Sequence, residues 1–415
     1  MNYNQKIDLV QKTKLFIGID IAKNRHGISL RDQLGKEVGK AQMIDNTRSG
    51  LDSLVAMTES CANGETLIGM EPTGHYWKCA AYYLKGKGKR PVIVNPFHVH
   101  RTKEVMDNSS TKTDLKDSRL ISQMIKEGKF MEPLLLEGVY AELRELTKTR
   151  HMIIKNQTSA KIRLIALFDE FAPEYNDCFS NIACKTSIAL LKTFTLLGLK
   201  SNISAEKKIE LIVKTSRGKI SLKKAEEIVK KLSESIGISE GVIGVQMRLE
   251  SLLEQIDLYQ KQCAMLDQVI KEKLNQAEEA PILMSMCGMG AITATEFLGQ
   301  TGPLKNFSNA KKLEKLAGME LSENSSGKVV GKKSFSKRGR DLLRHVLYKV
   351  VISAIAHNNE LKQLYDYKIN VLKKTKMVAI GSIMSKVLRV IFGMVKNKEM
   401  YDGEQICAGL PQAKA

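Results

Sequence analysis

Leu15-Phe16-Ile17-Gly18-Ile19-Asp20 and Thr66-Leu67-Ile68-Gly69-Met70-Glu71 are two short apolar runs, each ending on a carboxylate. Their length and β-rich composition read as buried strands, which delivers Asp20 and Glu71 at the lip of a sheet rather than inside it. A further pair follows in Thr111-Lys112-Thr113-Asp114-Leu115-Lys116-Asp117-Ser118, where three-residue spacing on a helix sets Asp114 and Asp117 on one face. Taken singly, each acid is explained as well by solvation or helix capping. Gathered together they would repel one another unless a divalent cation neutralised them, and oxygen-only ligation suits Mg²⁺ or Mn²⁺. The chemistry such a set serves is metal-assisted phosphoryl transfer, and strand ends in α/β sheets are where such sites collect.

Outward from these runs, the first part of the chain alternates strand and helix signals. Strands are expected at Gly27 to Leu30, Ala41 to Ile44 and Arg90 to Pro96, with a helix after Thr47 and another that continues through Asp117 to Lys126 and ends at Gly128. This predicts an α/β domain with a mixed sheet over residues 1–132. Pro133 opens a second region, 133–280, dominated by two heptad-like series. One runs through Leu143, Leu146, Arg150, Ile153, Gln157, Ala160, Leu164, Leu167 and Phe171, and the other from Val245 through Leu249, Leu252, Ile256, Tyr259, Cys263 and Leu266 to Ile270. Both read as coiled-coil helices, forming either an intramolecular antiparallel pair or a dimer interface. The length of the seam, too great for a small domain to bury, favours a joint role as spacer and dimer contact. A mostly helical domain is expected over 281–400, with a tail at 401–415.

The formal charge of +20 over 415 residues narrows the function. It points to nucleic acid, since an anionic membrane surface would call for a basic amphipathic or lipidated anchor that the sequence lacks. The polar start is no signal peptide, and the apolar stretch Met377 to Val395 is broken by Lys386 and Arg389, against a membrane span. The seven cysteines, without a C-x-x-C pair, fit a reducing cytoplasm and no zinc ribbon. His98 and His100 form an H-x-H better read as polar surface or core residues than as ligands.

In the last domain Gly288-Met289-Gly290 resembles the hairpin of helix-hairpin-helix modules, where glycines bring backbone N–H groups to a phosphate, although a tight turn explains it as well. Ser325-Ser326-Gly327 is then followed by Lys328, Lys332, Lys333, Lys337, Arg338, Arg340, Arg344 and Lys349, with Asp341 the only acid in that span. That density suits phosphate neutralisation, and a serine among cations is a candidate nucleophile as well as an ordinary loop or cap residue.

Gly18-Ile19-Asp20-Ile21-Ala22-Lys23, Glu71-Pro72-Thr73-Gly74-His75-Tyr76 and Lys112-Thr113-Asp114-Leu115-Lys116-Asp117 resemble the three motifs of the DEDD-type insertion-sequence transposases, a family that includes the pilin-gene invertases. Ala317-Gly318-Met319 to Ser326-Gly327, Ser336-Lys337-Arg338-Gly339 and Leu343-Arg344 are similar to the family's second domain, with Leu321 in place of the usual proline and Ser118 in place of alanine. The resemblance implies an RNase H-like fold close to Holliday-junction resolvases, with Asp20, Glu71, Asp114 and Asp117 holding Mg²⁺. It also implies Ser326 as the nucleophile of a phosphoserine link to DNA, the spacing from Gly327 favouring it over Ser325. The two domains would form a composite site across protomers of a dimer or tetramer. A structured guide RNA would be a second nucleic-acid partner, so that base pairing rather than side chains selects the sequence. The rival readings are a metal-only resolvase-like endonuclease and a nucleic-acid-binding protein without catalysis.

Overall fold

The computed structural model describes residues 3–61, 64–106, 114–193, 203–322 and 333–403. It is a mixed α/β structure that divides into two compact units, Met1–Leu135 and Leu136–Ala415.

The first unit is built on a five-stranded sheet of order β3-β2-β1-β4-β5. The strands are β1 (Thr13–Asp20), β2 (Arg25–Asp32), β3 (Gln42–Asp45), β4 (Glu65–Met70) and β5 (Arg90–Ile93). β1, β2 and β3 form an antiparallel meander, while β4 and β5 add in parallel on the other side of β1. β1 and β4 therefore run the same way at the centre of the sheet, and their carboxyl ends open on the same edge. Both runs quoted at the outset form strands, the strand expected at Gly27 to Leu30 extends over Arg25–Asp32, and that expected at Ala41 to Ile44 falls at Gln42–Asp45. The strand expected at Arg90 to Pro96 stops at Ile93, with Pro96 opening a helix.

Period-two alternation sorts the central strands onto two faces. Leu15, Ile17, Ile19, Ile68 and Met70 pack with Leu51, Leu54, Ala80 and Leu84 of helices α2 (Arg48–Cys61) and α3 (Trp77–Gly86). Phe16, Leu67 and Val92 pack on the opposite face with Val99, Leu120, Ile121, Met124 and Ile125 of α4 (Pro96–Met106) and α5 (Asp114–Lys126). Helix α1 (Tyr3–Lys12) adds Leu9 to this second core. A near-continuous apolar strand is what a sheet covered on both faces requires.

In the second unit, α6 (Gly138–Phe171) and α7 (Val242–Leu274) lie antiparallel. Arg150 pairs with Asp267 at 2.6 Å and Arg248 with Glu170 at 3.4 Å, so rising numbers on one helix meet falling numbers on the other. The heptad positions Ala160, Leu164, Leu167 and Phe171 are buried against Leu249, Leu252 and Ile256, together with Ile188, Ile212, Ala225 and Ile228 from the helices Lys185–Thr193, Ala205–Thr215 and Leu222–Ser233. The two long series thus pack against each other within the chain. A second core gathers α8 (Ala291–Thr301), α9 (Asp341–His357) and α10 (Lys376–Asn397) around Phe297, Leu347, Val350, Ile383 and Leu388. Helix α10 is long and apolar enough to cross a membrane by composition, but half of its most apolar window is buried in this core.

Candidate active site

The sheet fixes the first two acids. Gly18 is in register with Gly69 and Ile19 with Met70, so Asp20 and Glu71 follow as neighbours at adjacent parallel strand ends. Alternation places Asp20 on the same face as Gly18, and Glu71 continues the phase of Gly69. That is the face covered by α5.

The two glycines explain why α5 lies where it does. A Cβ at Gly18 would fall 2.0 Å from the Ser118 carbonyl oxygen and 2.4 Å from the Ser122 nitrogen, both in the α5 backbone. A Cβ at Gly69 would fall 2.5 Å from Cγ2 of Ile125. Lacking side chains, the strands let the α5 backbone come this near at Gly18 and its Ile125 side chain at Gly69. The helix direction follows from its far end, where Lys126 Nζ donates to the Leu34 carbonyl at 3.1 Å, beside the β2–β3 turn. Since Leu15 pairs with Asp32, that turn lies at the edge away from Asp20. The N-terminal turn of α5, which begins with Asp114 and includes Asp117, is therefore brought to the lip that carries Asp20 and Glu71. Ser118, buried with its hydroxyl donating to the Leu115 carbonyl at 2.9 Å, is small enough for this contact.

Asp117 is 8% exposed, and Lys103 of α4 donates to its Oδ2 at 2.5 Å. Asp20 and Glu71 are half-buried. The donor set fits a hard divalent cation in its chemistry, because it offers carboxylate oxygens only and Asp117 already sits against a cationic group. Among the described residues, no three His, Cys, Asp or Glu side chains form a cluster able to hold a metal, and the side chain of Asp114 lies outside them. His98 and His100 are exposed on α4, and two-residue spacing on a helix turns them apart. Behind the lip, fully buried His26 accepts a hydrogen bond from the Ala22 N–H at 3.2 Å through Nδ1, tying down the segment after Asp20, and burial holds its pKa below the ordinary value. Sequence reasoning missed Lys103 and His26, which carry no local signature, and missed Gly18 and Gly69, whose signal was present as glycine inside an apolar strand.

In the second unit, the segments around Ala317-Gly318-Met319 and Ser336-Lys337-Arg338-Gly339 are zipped together. The Lys337 N–H donates to Gly318 O at 3.0 Å, the Ser336 N–H to Glu320 O at 2.8 Å and the Arg340 N–H to Leu316 O at 2.7 Å. A Cβ on Gly339 would lie 2.3 Å from the Gly318 nitrogen, so this seam admits only glycine there. The seam continues as a two-stranded stem, β6 (Leu321–Ser322) with β7 (Ser334–Phe335). Ser325, Ser326, Gly327, Lys328 and Lys332 belong to the connection between these strands and lie outside the described residues.

The remaining basic positions divide by what they touch. Lys333 and Lys337 line a groove of about 1190 Å³ formed with α10. Arg338 is exposed. Arg340 donates to the Gln300 carbonyl, and burial with the nearby Arg144 lowers its pKa to about 10. Arg344 donates to the Ala317 carbonyl at 2.8 Å, and Lys349 pairs with Glu296. Arg340, Arg344 and Lys349 thus make contacts internal to the domain. Gly288, in left-handed backbone at φ 86°, lies against α9, where a Cβ would meet Val350 O at 2.6 Å. Gly290 is exposed at the N-cap of α8.

Comparisons with known proteins place the chain in a family. A family model described as Transposase, for the DEDD transposases of IS110 type, matches residues 17–173, and a second, Transposase IS116/IS110/IS902 family, matches residues 280–366. Together the two matches cover more than half of the chain. Similar full-length relatives are also insertion-element proteins. The Insertion element IS116 uncharacterized 44.8 kDa protein of Streptomyces clavuligerus is 22% identical, over 94% of this chain and 96% of its own length. The Insertion element IS900 uncharacterized 42 kDa protein of Mycobacterium paratuberculosis is 21% identical, over 93% and 97%. The Insertion element IS110 uncharacterized 43.6 kDa protein of Streptomyces coelicolor is 20% identical, over 94% and 95%. The chain belongs to the IS116/IS110/IS902 family of insertion-sequence transposases.

Proposed function

We propose that this transposase cuts and rejoins DNA through a serine-linked intermediate, with a divalent cation at the acid cluster of an RNase H-like first unit. The observation that carries the reading is the lip itself. Asp20 and Glu71 end adjacent parallel strands, and the N-terminal turn of α5, with Asp114 and Asp117, is laid over them through Gly18 and Gly69.

Asp20, Glu71, Asp114 and Asp117 would hold Mg²⁺ or Mn²⁺, which would supply charge neutralisation at the scissile phosphate. In the proposed step Ser326 Oγ loses its proton and attacks a phosphodiester phosphorus. The bond from phosphorus to the 3′ oxygen breaks, that oxygen leaves as a hydroxyl after taking up a proton, and the phosphoryl group stays on the serine. Attack by a second 3′ hydroxyl reverses the chemistry, releases Ser326 and joins the new strand. Lys328, Lys332, Lys333, Lys337 and Arg338 serve as backbone contacts whose contribution is salt-dependent, and the N–H groups at Gly288 and Gly290 are offered to a phosphate. We assign the protein to the cytoplasm as a dimer or tetramer, with a structured guide RNA as second partner, and the overall charge of +20 is in keeping with two nucleic acids.

The test is a covalent trap in cells that carry the protein with its own flanking DNA. After detergent denaturation and capture of the protein, DNA should remain attached to the wild type and be absent from Ser326→Ala. Asp114→Ala should abolish recombination. Recombination at wild-type level in both variants would defeat the proposal, and cleavage by Ser326→Ala with no attached protein would assign the chemistry to a metal-only nuclease.

A further inference from the structure

The groove beside the β6–β7 stem combines two properties that separately suit different ligands. Its wall leaves large apolar side chains in the open, with Leu321 62%, Met377 66% and Val378 56% exposed. The Phe335 ring adds an aromatic surface and rests on Gly381, where a Cβ would come within 3.1 Å of it. The same concavity is cationic. Lys374 and Lys386 join Lys333 and Lys337 along it, while of its two acids Glu314 is paired with Arg389 at 2.8 Å. Beside the groove, burial and the charges of Lys386 and Lys374 lower the pKa of Lys368, which marks the local field as positive.

Cations alone would suit a nucleic-acid duplex, which presents phosphates and keeps its base faces stacked inside. Apolar side chains alone would suit a protein. An unpaired strand needs both, since its phosphates seek ammonium groups and its exposed base faces seek apolar or aromatic surface. We propose that this groove binds a single-stranded segment of DNA, with bases on Leu321, Phe335, Met377 and Val378 and phosphates on Lys337, Lys374 and Lys386. The inference rests on the function proposed above, because the groove is bounded by the two strands whose connection carries Ser326. It adds that the DNA strand next to that serine is held unpaired.

The experiment uses the full chain carrying Asp20→Asn, so that binding is read without cleavage. Affinities are measured by fluorescence anisotropy for labelled oligothymidylate, a duplex of equal length and oligouridylate. Met377→Glu and Val378→Glu change exposed side chains and put a like charge where bases and phosphates would lie. Each should weaken oligothymidylate binding by about tenfold or more while duplex binding stays within about twofold. Lys374→Ala should weaken oligothymidylate binding and reduce its salt dependence. Unchanged oligothymidylate affinity in both glutamate variants, equal loss for duplex, or tighter binding of oligouridylate would overturn the proposal. So would self-association of the chain that Val378→Glu abolishes without changing strand affinity. Failure of the serine chemistry would show instead in the covalent trap, with this binding intact.

Discussion

Gly18→Ala is the substitution that most directly tests how the acidic lip is assembled. The new methyl group would sit 2.0 Å from the Ser118 carbonyl oxygen and 2.4 Å from the Ser122 nitrogen. Both obstacles are helix backbone, so no rotamer change relieves the clash. Restoring even the 3.0 Å below which Cβ contacts essentially never fall requires about 1 Å of movement of α5 away from β1. Overpacking of this kind costs about 1–3 kcal/mol. The movement also carries Asp117 and Asp114 away from Asp20 and Glu71, and a misplacement of about 1 Å in a catalytic constellation costs on the order of 10²-fold in rate. The control is Gly50→Ala, whose methyl would meet the Asp45 carbonyl oxygen at 2.1 Å and strain α2 against the end of β3, on the other face of the sheet from α5. Recombination frequency and thermal unfolding are measured for both. Gly18→Ala should lose activity far beyond what its melting temperature explains, while Gly50→Ala should lose stability with activity near normal below its transition. Wild-type activity in Gly18→Ala, or parallel losses in the two variants, would refute the argument.

The other predictions concern single contacts. Asp20→Asn and Glu71→Gln should abolish DNA cleavage and remove the rise in melting temperature that added Mg²⁺ gives the wild type, because a ligand specific to the folded state raises apparent stability. Lys103→Met removes the ammonium group held on Asp117, so the Mg²⁺ concentration giving half of that thermal shift should fall. Burial holds the His26 pKa below the ordinary 6.5, so its contribution to stability is fully present above pH 6.5 and is lost as pH falls through the folded value. Urea unfolding at pH 5.5 and 7.5 should show that loss on the acid side, and His26→Asn should reduce it. Arg150→Met removes the ion pair with Asp267 between α6 and α7 and should cost about 1–2 kcal/mol in chemical denaturation, with little effect on metal-dependent stabilisation of the first unit.

Much of the first unit was legible in the sequence because its signals are local. Leu15 to Asp20 and Thr66 to Glu71 announce themselves as buried strands by composition, and the spacing of Asp114 and Asp117 is a helical period. The two long series were legible for the same reason, since apolar positions at three- and four-residue steps define one buried face whatever covers it. What covers it was open. Pairing within the chain and pairing between chains demand the same residues, and only the approach of Arg150 to Asp267 shows the two helices lying antiparallel within one chain.

The sequence by itself determined the residue types proposed for the chemistry and the strand and helix ends that hold them. Only the tertiary structure decided which ends meet. Strand order is a property of distant pairings, and nothing local in Ile17 or Ile68 states that β1 and β4 are parallel neighbours in register. The contact of Gly18 with α5 joins segments about a hundred residues apart, and the Lys103 pair depends on how α4 and α5 pack. The basic block divides in the same way. Lysine and arginine density is visible in the chain, but solvation and packing separate Lys333 and Lys337, which line a groove, from Arg340 and Arg344, whose guanidinium groups bind main-chain carbonyls inside the domain.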